Sequence, residues 1–224
     1  MLDTPSHFEQ VVEIDKRGEA PWVKGQAFTW MIELDGWCSQ EKAGVLIDLV
    51  LKVRPSVVVE VGVFGGKSLI PMAYALKVNE KGKIYGIDPW DTESSVEELI
   101  NDENKHYWSI VDHDGILRKL LEKIDQFELS QQTVLIKATS EEAPLIPNID
   151  ILHIDGNHSE KTSTFDVTKW VPSVRKGGFI IFDDIKWHEN GINTTGKAVE
   201  WLNENCIKIA EFNDSCTWGI WIKP

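Results

Sequence analysis

The sequence has no run of about 18 apolar residues, so it offers no membrane-spanning helix. It has only three cysteines, Cys38, Cys206 and Cys216, and no C-x-x-C pair. That odd, scattered set excludes a disulfide framework and a thiolate zinc site, and it reads as buried free thiols. Basic residues are outnumbered: 23 Lys and Arg face 36 Asp and Glu, for a net charge of −13. A chain this acidic, with its cations scattered, repels phosphate backbones, which argues against a nucleic-acid partner. The opening stretch MLDTPSHFEQVVEID is polar and lacks the charged-then-apolar layout of a signal peptide. The expectation is a cytoplasmic protein without a membrane or nucleic-acid partner; a homo-oligomer is left open.

What is present suits one folded domain. The chain has 224 residues, 42% hydrophobic and 26% charged, enough for a sizeable core. Residues 1–35 show no clean period. Trp22, Phe28 and Trp30 suggest an extension that packs on the domain and caps a pocket, leaving 36–224 as the domain itself. In 39–52, Ser39 can cap a helix with Lys42 three residues on, and Ala43, Leu46, Ile47, Val50 and Leu51 form its apolar stripe. Arg54-Pro55 ends it.

Short apolar runs then alternate with helical patterns. Strands are expected at 56–62, 83–88, 133–138, 149–155 and 179–184, with helices at about 67–78 and 160–175. The long connection 91–130 reads as a mobile lid followed by a crossover helix carrying Ile116, Leu117, Leu120, Leu121 and Ile124. A helix near 196–205 precedes two strands, around 207–212 and 217–222, joined only by Asn213-Asp214-Ser215. So tight a link makes a hairpin. The alternation predicts an α/β three-layer sandwich, with a mostly parallel seven-stranded sheet whose last strand is antiparallel.

Between the first strand and its helix runs Glu60-Val61-Gly62-Val63-Phe64-Gly65-Gly66-Lys67-Ser68. Glycines let a ligand approach backbone, and a helix N-terminus favours an anion. The dinucleotide frame G-x-G-x-x-G fails after Gly62, and a P-loop would need glycine where Val61 stands. Asp88 ends the second strand, where an acid can accept both hydroxyls of a ribose. Ligands of open α/β sheets gather at the carboxyl ends of the strands. There the fourth expected strand ends His153-Ile154-Asp155-Gly156-Asn157-His158 and the fifth Phe182-Asp183-Asp184. Three acids without cysteine favour a hard cation, Mg²⁺ or Mn²⁺, whose charge would relieve their repulsion.

The glycine stretch resembles motif I of the class I S-adenosylmethionine methyltransferases, E-x-G-x-x-x-G-x-S, on Glu60, Gly62, Gly66 and Ser68. H-I-D-G-N-H-S-E, a helix, then K-G-G-F-I-I-F-D-D resembles methyltransferase family 24. It is also similar to the sugar O-methyltransferases of macrolide and aminocoumarin biosynthesis and to a cephalosporin-hydroxylase-like group. The resemblance covers roughly 56–187 and implies a Rossmann-like fold and methyl transfer from S-adenosylmethionine to a small-molecule acceptor. It implies a cofactor site on Glu60, Gly62, Phe64, Gly66, Ser68, Asp88, Ser140, Glu141 and Asp155, with Ser68 on the cofactor carboxylate. It places magnesium on Asp155, Asp183 and Asp184. Some sugar enzymes read D-G-D, with the second aspartate as base; here Asn157 stands there and cannot take a proton. His158, with an ordinary pKa near 6.5, is the expected base beside Asp155. Trp187 and His188 are expected to line the acceptor site, and Trp90, Tyr107 and Trp108 to close over it. A P-loop-like nucleotide hydrolase and a non-catalytic cofactor-binding protein are the competing readings.

Overall fold

β-branched runs and amphipathic helices assemble, in the computed structural model, into a seven-stranded sheet with helices on both faces. Residues 19–213 and 216–224 are described. The strands are β1 (Val57–Val61), β2 (Lys83–Asp88), β3 (Thr133–Lys137), β4 (Ile149–Ile154), β5 (Val174–Phe182), the short pair β6 (His188–Glu189) and β7 (Ile192–Asn193), then β8 (Ile207–Asn213) and β9 (Thr217–Ile222). The large sheet runs β3-β2-β1-β4-β5-β9-β8. β1 to β5 are parallel, and β9 inserts antiparallel between β5 and β8. The order reverses between β1 and β4, and that switch point is where an open α/β sheet opens a crevice.

The helices are α1 (Glu19–Met31), α2 (Gln40–Val53), α3 (Leu69–Asn79), α4 (Thr92–Val96), α5 (Asp102–Ile110), α6 (His113–Gln126), α7 (Glu160–Trp170) and α8 (Gly196–Asn205). Strand side chains alternate between faces. Val58, Ile151, Phe179, Ile181 and Ile220 therefore meet α1, α2, α3 and α6. Val59, Val61, Leu152, Ile154, Ile180 and Phe182 meet α7 and α8. Each such side chain, fully buried, contributes about 1.5–3 kcal/mol. The same period carries Glu60, His153 and Asp183 onto the first face, beneath α2.

α2 starts where Ser39 accepts the Lys42 amide at 3.0 Å and stops where Arg54 turns left-handed. α1 packs through Val23 and Ala27, and Trp30 stacks on Phe127 at 4.3 Å. Residues 1–18 of the expected extension and 214–215 of the hairpin turn lie outside the described residues.

Some boundaries differ from expectation. α7 ends at Trp170 in a 3-10 turn, Val171–Ser173, because Pro172 has no amide to continue the helix. β5 begins at Val174 rather than 179, since Gly177 and Gly178 pair with Lys223 of the chain end. The 91–130 connection is three helices, α4 to α6, and Leu121 faces solvent rather than the core. No helix of the described residues is long and apolar enough to cross a membrane.

Candidate active site

A cleft of about 1330 Å³ opens at the carboxyl ends of β1, β2, β4 and β5. Pockets for one small ligand usually span about 300–1,000 Å³, so a nucleoside cofactor and an acceptor fit together.

At one end lies the glycine loop. Gly62 has φ +84°, and a Cβ there would stand 2.1 Å from the carbonyl oxygen of Asp155. The loops after β1 and β4 thus touch backbone to backbone, which only glycine permits. Four loop amides are bonded within the protein. Gly62 N–H donates to Ile87 O and Gly66 N–H to Val63 O, each at 2.9 Å. Val63 and Phe64 both donate to Asp88 Oδ2, also at 2.9 Å. The other Asp88 oxygen accepts from Trp90 N–H at 2.7 Å. Burial pushes the Asp88 carboxyl up, opposed by these amides. An acid at the loop's centre with its amides already engaged is no phosphate cradle.

Gly62, Phe64, Ser68, Asp88, Ser140, Glu141 and Asp155 all line the cleft; Glu60 and Gly66 do not. Glu60 is fully buried below the loop, where its Oε1 accepts from Ser68 Oγ. The Ser68 hydroxyl thus donates to Glu60 while the residue stays in the cleft lining. Gly66, at φ +79°, is where the chain turns into α3. Trp90 is buried, and its indole N–H holds Phe64 O at 2.8 Å, so it props the loop instead of closing the cleft. Over the mouth, Trp37 stacks on Phe64 at 5.4 Å and meets Tyr107 and Trp108 edge-on.

At the other end the charged groups form a chain. His153 Nδ1 lies 2.8 Å from Glu60 Oε1 and its Nε2 3.1 Å from Asp183 Oδ2. Asp183 Oδ2 also accepts from the Lys42 ammonium, whose nitrogen is 3.6 Å from Asp155 Oδ2. Lys42 is fully buried on α2, which rises directly above. Burial would lower its pKa, but the charge of Asp155 and its neighbours outweighs this and raises it. Burial likewise works against an ionised Asp155, yet Lys42 and His158 hold that carboxyl well below the usual range. His158 Nε2 lies 3.2 Å from Asp184 Oδ2 and 3.8 Å from Asp155 Oδ1. Against the pull of burial, these acids raise the His158 pKa. The ring packs on Trp187 at 4.8 Å. Asp184 has φ +51°, a left-handed turn after β5 that points consecutive aspartates different ways.

The structure therefore does not gather Asp155, Asp183 and Asp184 as one ligand set. It brings together His153, Asp155 and Asp183, with Lys42 among them, and separately Asp155, His158 and Asp184.

The roles of four residues escape a reading of the sequence. Lys42 shares a helical stripe with Leu46 and Val50, and that spacing was the available signal. Asn157 donates to Ser94 O and Glu97 O, and buried Glu189 accepts from Ile100 N–H, Asn101 N–H and Asn104; both tie the α4–α5 segment down. Asp166 of α7 is buried at the cleft wall, and burial pushes it up to about 7.

The model of a methyltransferase domain family, number 24 of its series, matches residues 59–185. The chain belongs to that family. It is a class I S-adenosylmethionine-dependent methyltransferase. Among curated proteins, none matches the sequence. Solved structures share the methyltransferase's fold at low identity. The O-methyltransferase TomG of Streptomyces achromogenes, in complex with SAM, is 15% identical, with a TM-score of 0.61, over 92% of this chain and 89% of its own. An O-methyltransferase from Bacillus cereus in complex with SAH is 14% identical (TM-score 0.60), over 100% of this chain and 93% of its own. The SAH-bound Podospora anserina methyltransferase PaMTH1 is 12% identical (TM-score 0.60), over 100% and 99%.

Proposed function

We propose that this methyltransferase transfers the methyl group to a hydroxyl oxygen of a small molecule, with His158 as the general base. The observation that carries the reading is one cleft with two unlike ends: a glycine loop and Asp88 at one, and His158 between Asp155 and Asp184 at the other. S-adenosylmethionine supplies an electrophilic sulfonium methyl. Asp88 and the loop Gly62–Phe64 hold its nucleoside side, and Ser140 and Glu141 border the base. Lys169 pins that border, its ammonium on the carbonyls of Ser140, Glu141 and Ala143 at 2.6–2.9 Å. With Ser68 engaged by Glu60, Lys67 at the cleft wall is the group that can face the cofactor carboxylate.

Asp155 and Asp184 face Nε2 of His158 and hold a proton there, which orients the imidazole and leaves Nδ1 as the nitrogen that takes the acceptor's proton. Holding the oxygen about 3 Å from the methyl, in line, supplies much of the rate. Trp187 walls the acceptor region beside His158, while Tyr107 and Trp108 cover the mouth on the Phe64 side. Magnesium on Asp155, Asp183 and Asp184 does not fit, because Asp183 already binds the Lys42 ammonium and the His153 ring; no step is routed through a metal. The nucleotide-hydrolase alternative has no support, since the family model matched and the structural neighbours are methyltransferases.

Calorimetry with S-adenosylmethionine, ATP and NAD, followed by methyl transfer to a panel of phenols, sugars and amines, tests the reading. Binding of S-adenosylmethionine alone with methylated hydroxyls is expected. Binding of ATP alone, or methylation only of amines, would overturn it.

A further inference from the structure

Three acids at neighbouring strand ends need a counter-charge, and this chain carries one of its own. Lys42 sits one turn into α2, on the helix face that buries Leu46 and Val50, and its ammonium reaches the sheet below. There it bonds Asp183 Oδ2 and stands 3.6 Å from Asp155 Oδ2. A magnesium ion bridging these carboxylates would use the same oxygens at about 2.0–2.1 Å, with near-octahedral geometry. Asp183 Oδ2 already accepts from Lys42 and lies 3.1 Å from His153 Nε2. A divalent ion beside Asp155, in either group of convergent side chains, would also sit next to a buried ammonium and be repelled by it.

We propose that Lys42 is the resident cation of this acidic cluster, standing where a divalent metal would bridge Asp155 and Asp183, so that methyl transfer here needs no divalent ion. The inference rests on the methyl-transfer reading only in its last clause; the placement of the charge stands without it. Lys42 touches no substrate. It is a positioning residue, which fixes one oxygen of Asp155 while the other faces His158.

The test titrates the full chain, stripped with EDTA, with Mn²⁺ and follows free Mn²⁺ by electron paramagnetic resonance. Wild type should leave Mn²⁺ free up to the order of millimolar, whereas Lys42→Ala should bind one ion per chain at least tenfold more tightly. Adding Asp183→Asn to Lys42→Ala should abolish that binding. Lys42→Arg, which keeps the charge, should behave as wild type. If Lys42→Ala is unstable, its melting temperature should rise with Mn²⁺ while that of wild type stays fixed; no rise would overturn the proposal. Tighter Mn²⁺ binding by wild type than by Lys42→Ala would overturn it too, as would loss of activity in EDTA restored by Mg²⁺. Calorimetry with S-adenosylmethionine on the same samples separates the two readings. A chain that binds no cofactor fails the functional proposal, while its Mn²⁺ titration still decides the role of Lys42.

Discussion

The two ends of the cleft are built from different materials. The glycine-loop end, proposed for the cofactor, is backbone: Gly62, Val63, Phe64 and Gly66 spend their amides on neighbouring strands, on Asp88 and on the loop itself. The acceptor end is side-chain charge, running from Glu60 through His153, Asp183 and Lys42 to Asp155, His158 and Asp184. A backbone cradle fixes shape and tolerates few substitutions of any kind. A charged chain fixes protonation and orientation, and it tolerates changes that keep shape while it loses function. The contrast teaches that damage at the first end should appear as lost folding or cofactor affinity, and at the second as lost turnover.

The contact joining the ends offers the hardest break. Gly62→Ala puts a methyl 2.1 Å from Asp155 O, so both loops must move. A loss of about 4 kcal/mol or more is expected, read as a collapse of the melting temperature. A near-normal melt would show that the ends are mechanically independent. Within the acceptor end, Asp155→Asn should lower kcat about 10³-fold, because Lys42 and His158 both lose their shared charge. His158→Gln should cost about 10²-fold in kcat. Neither should move the Kd for S-adenosylmethionine by more than about threefold; a parallel loss of cofactor affinity would erase the distinction between ends.

Asp88→Asn is the converse. Its amide cannot accept from both the loop and Trp90, so the Kd for cofactor should rise about tenfold with little change in kcat at saturation. The last effect sharpens the picture at the far wall. Asp166 is held up at about 7, against 3.8 for an ordinary aspartate. The folded chain therefore keeps a proton that the unfolded chain has lost between those values. The Asp166 contribution to stability is greatest below about pH 4, declines as pH rises to about 7, and then levels off. Asp166→Asn cannot ionise, so it should match wild type at pH 4 and melt about 10 °C higher at pH 8. Equal melts at both values would show that Asp166 titrates normally.

Strands were legible because covered runs such as Val57–Val61 and Ile149–Ile154 are mostly β-branched and aliphatic, broken only by Glu60, Asp150 and His153. β5 was read short because two glycines inside it look like a turn, and only its pairing with Lys223 makes them strand. At the site, Asp88, Asp155 and His158 announced themselves by standing just past strand ends. Glu60 and Ser68 matched a motif, yet their partners are each other. Lys42 was invisible as chemistry: a lysine three residues into a helix is ordinarily a solvated surface charge.

By itself the sequence determined the order of strands and helices, the hairpin at the end and the acids at the strand tips, because these follow from period, glycine and position along one element. The tertiary structure alone decided which acid meets which cation. Lys42 and Asp183 lie 141 positions apart in the chain. Their contact depends on α2 packing over β4 and β5, and the energy of a buried charge is set by the neighbours that packing delivers, not by those in sequence.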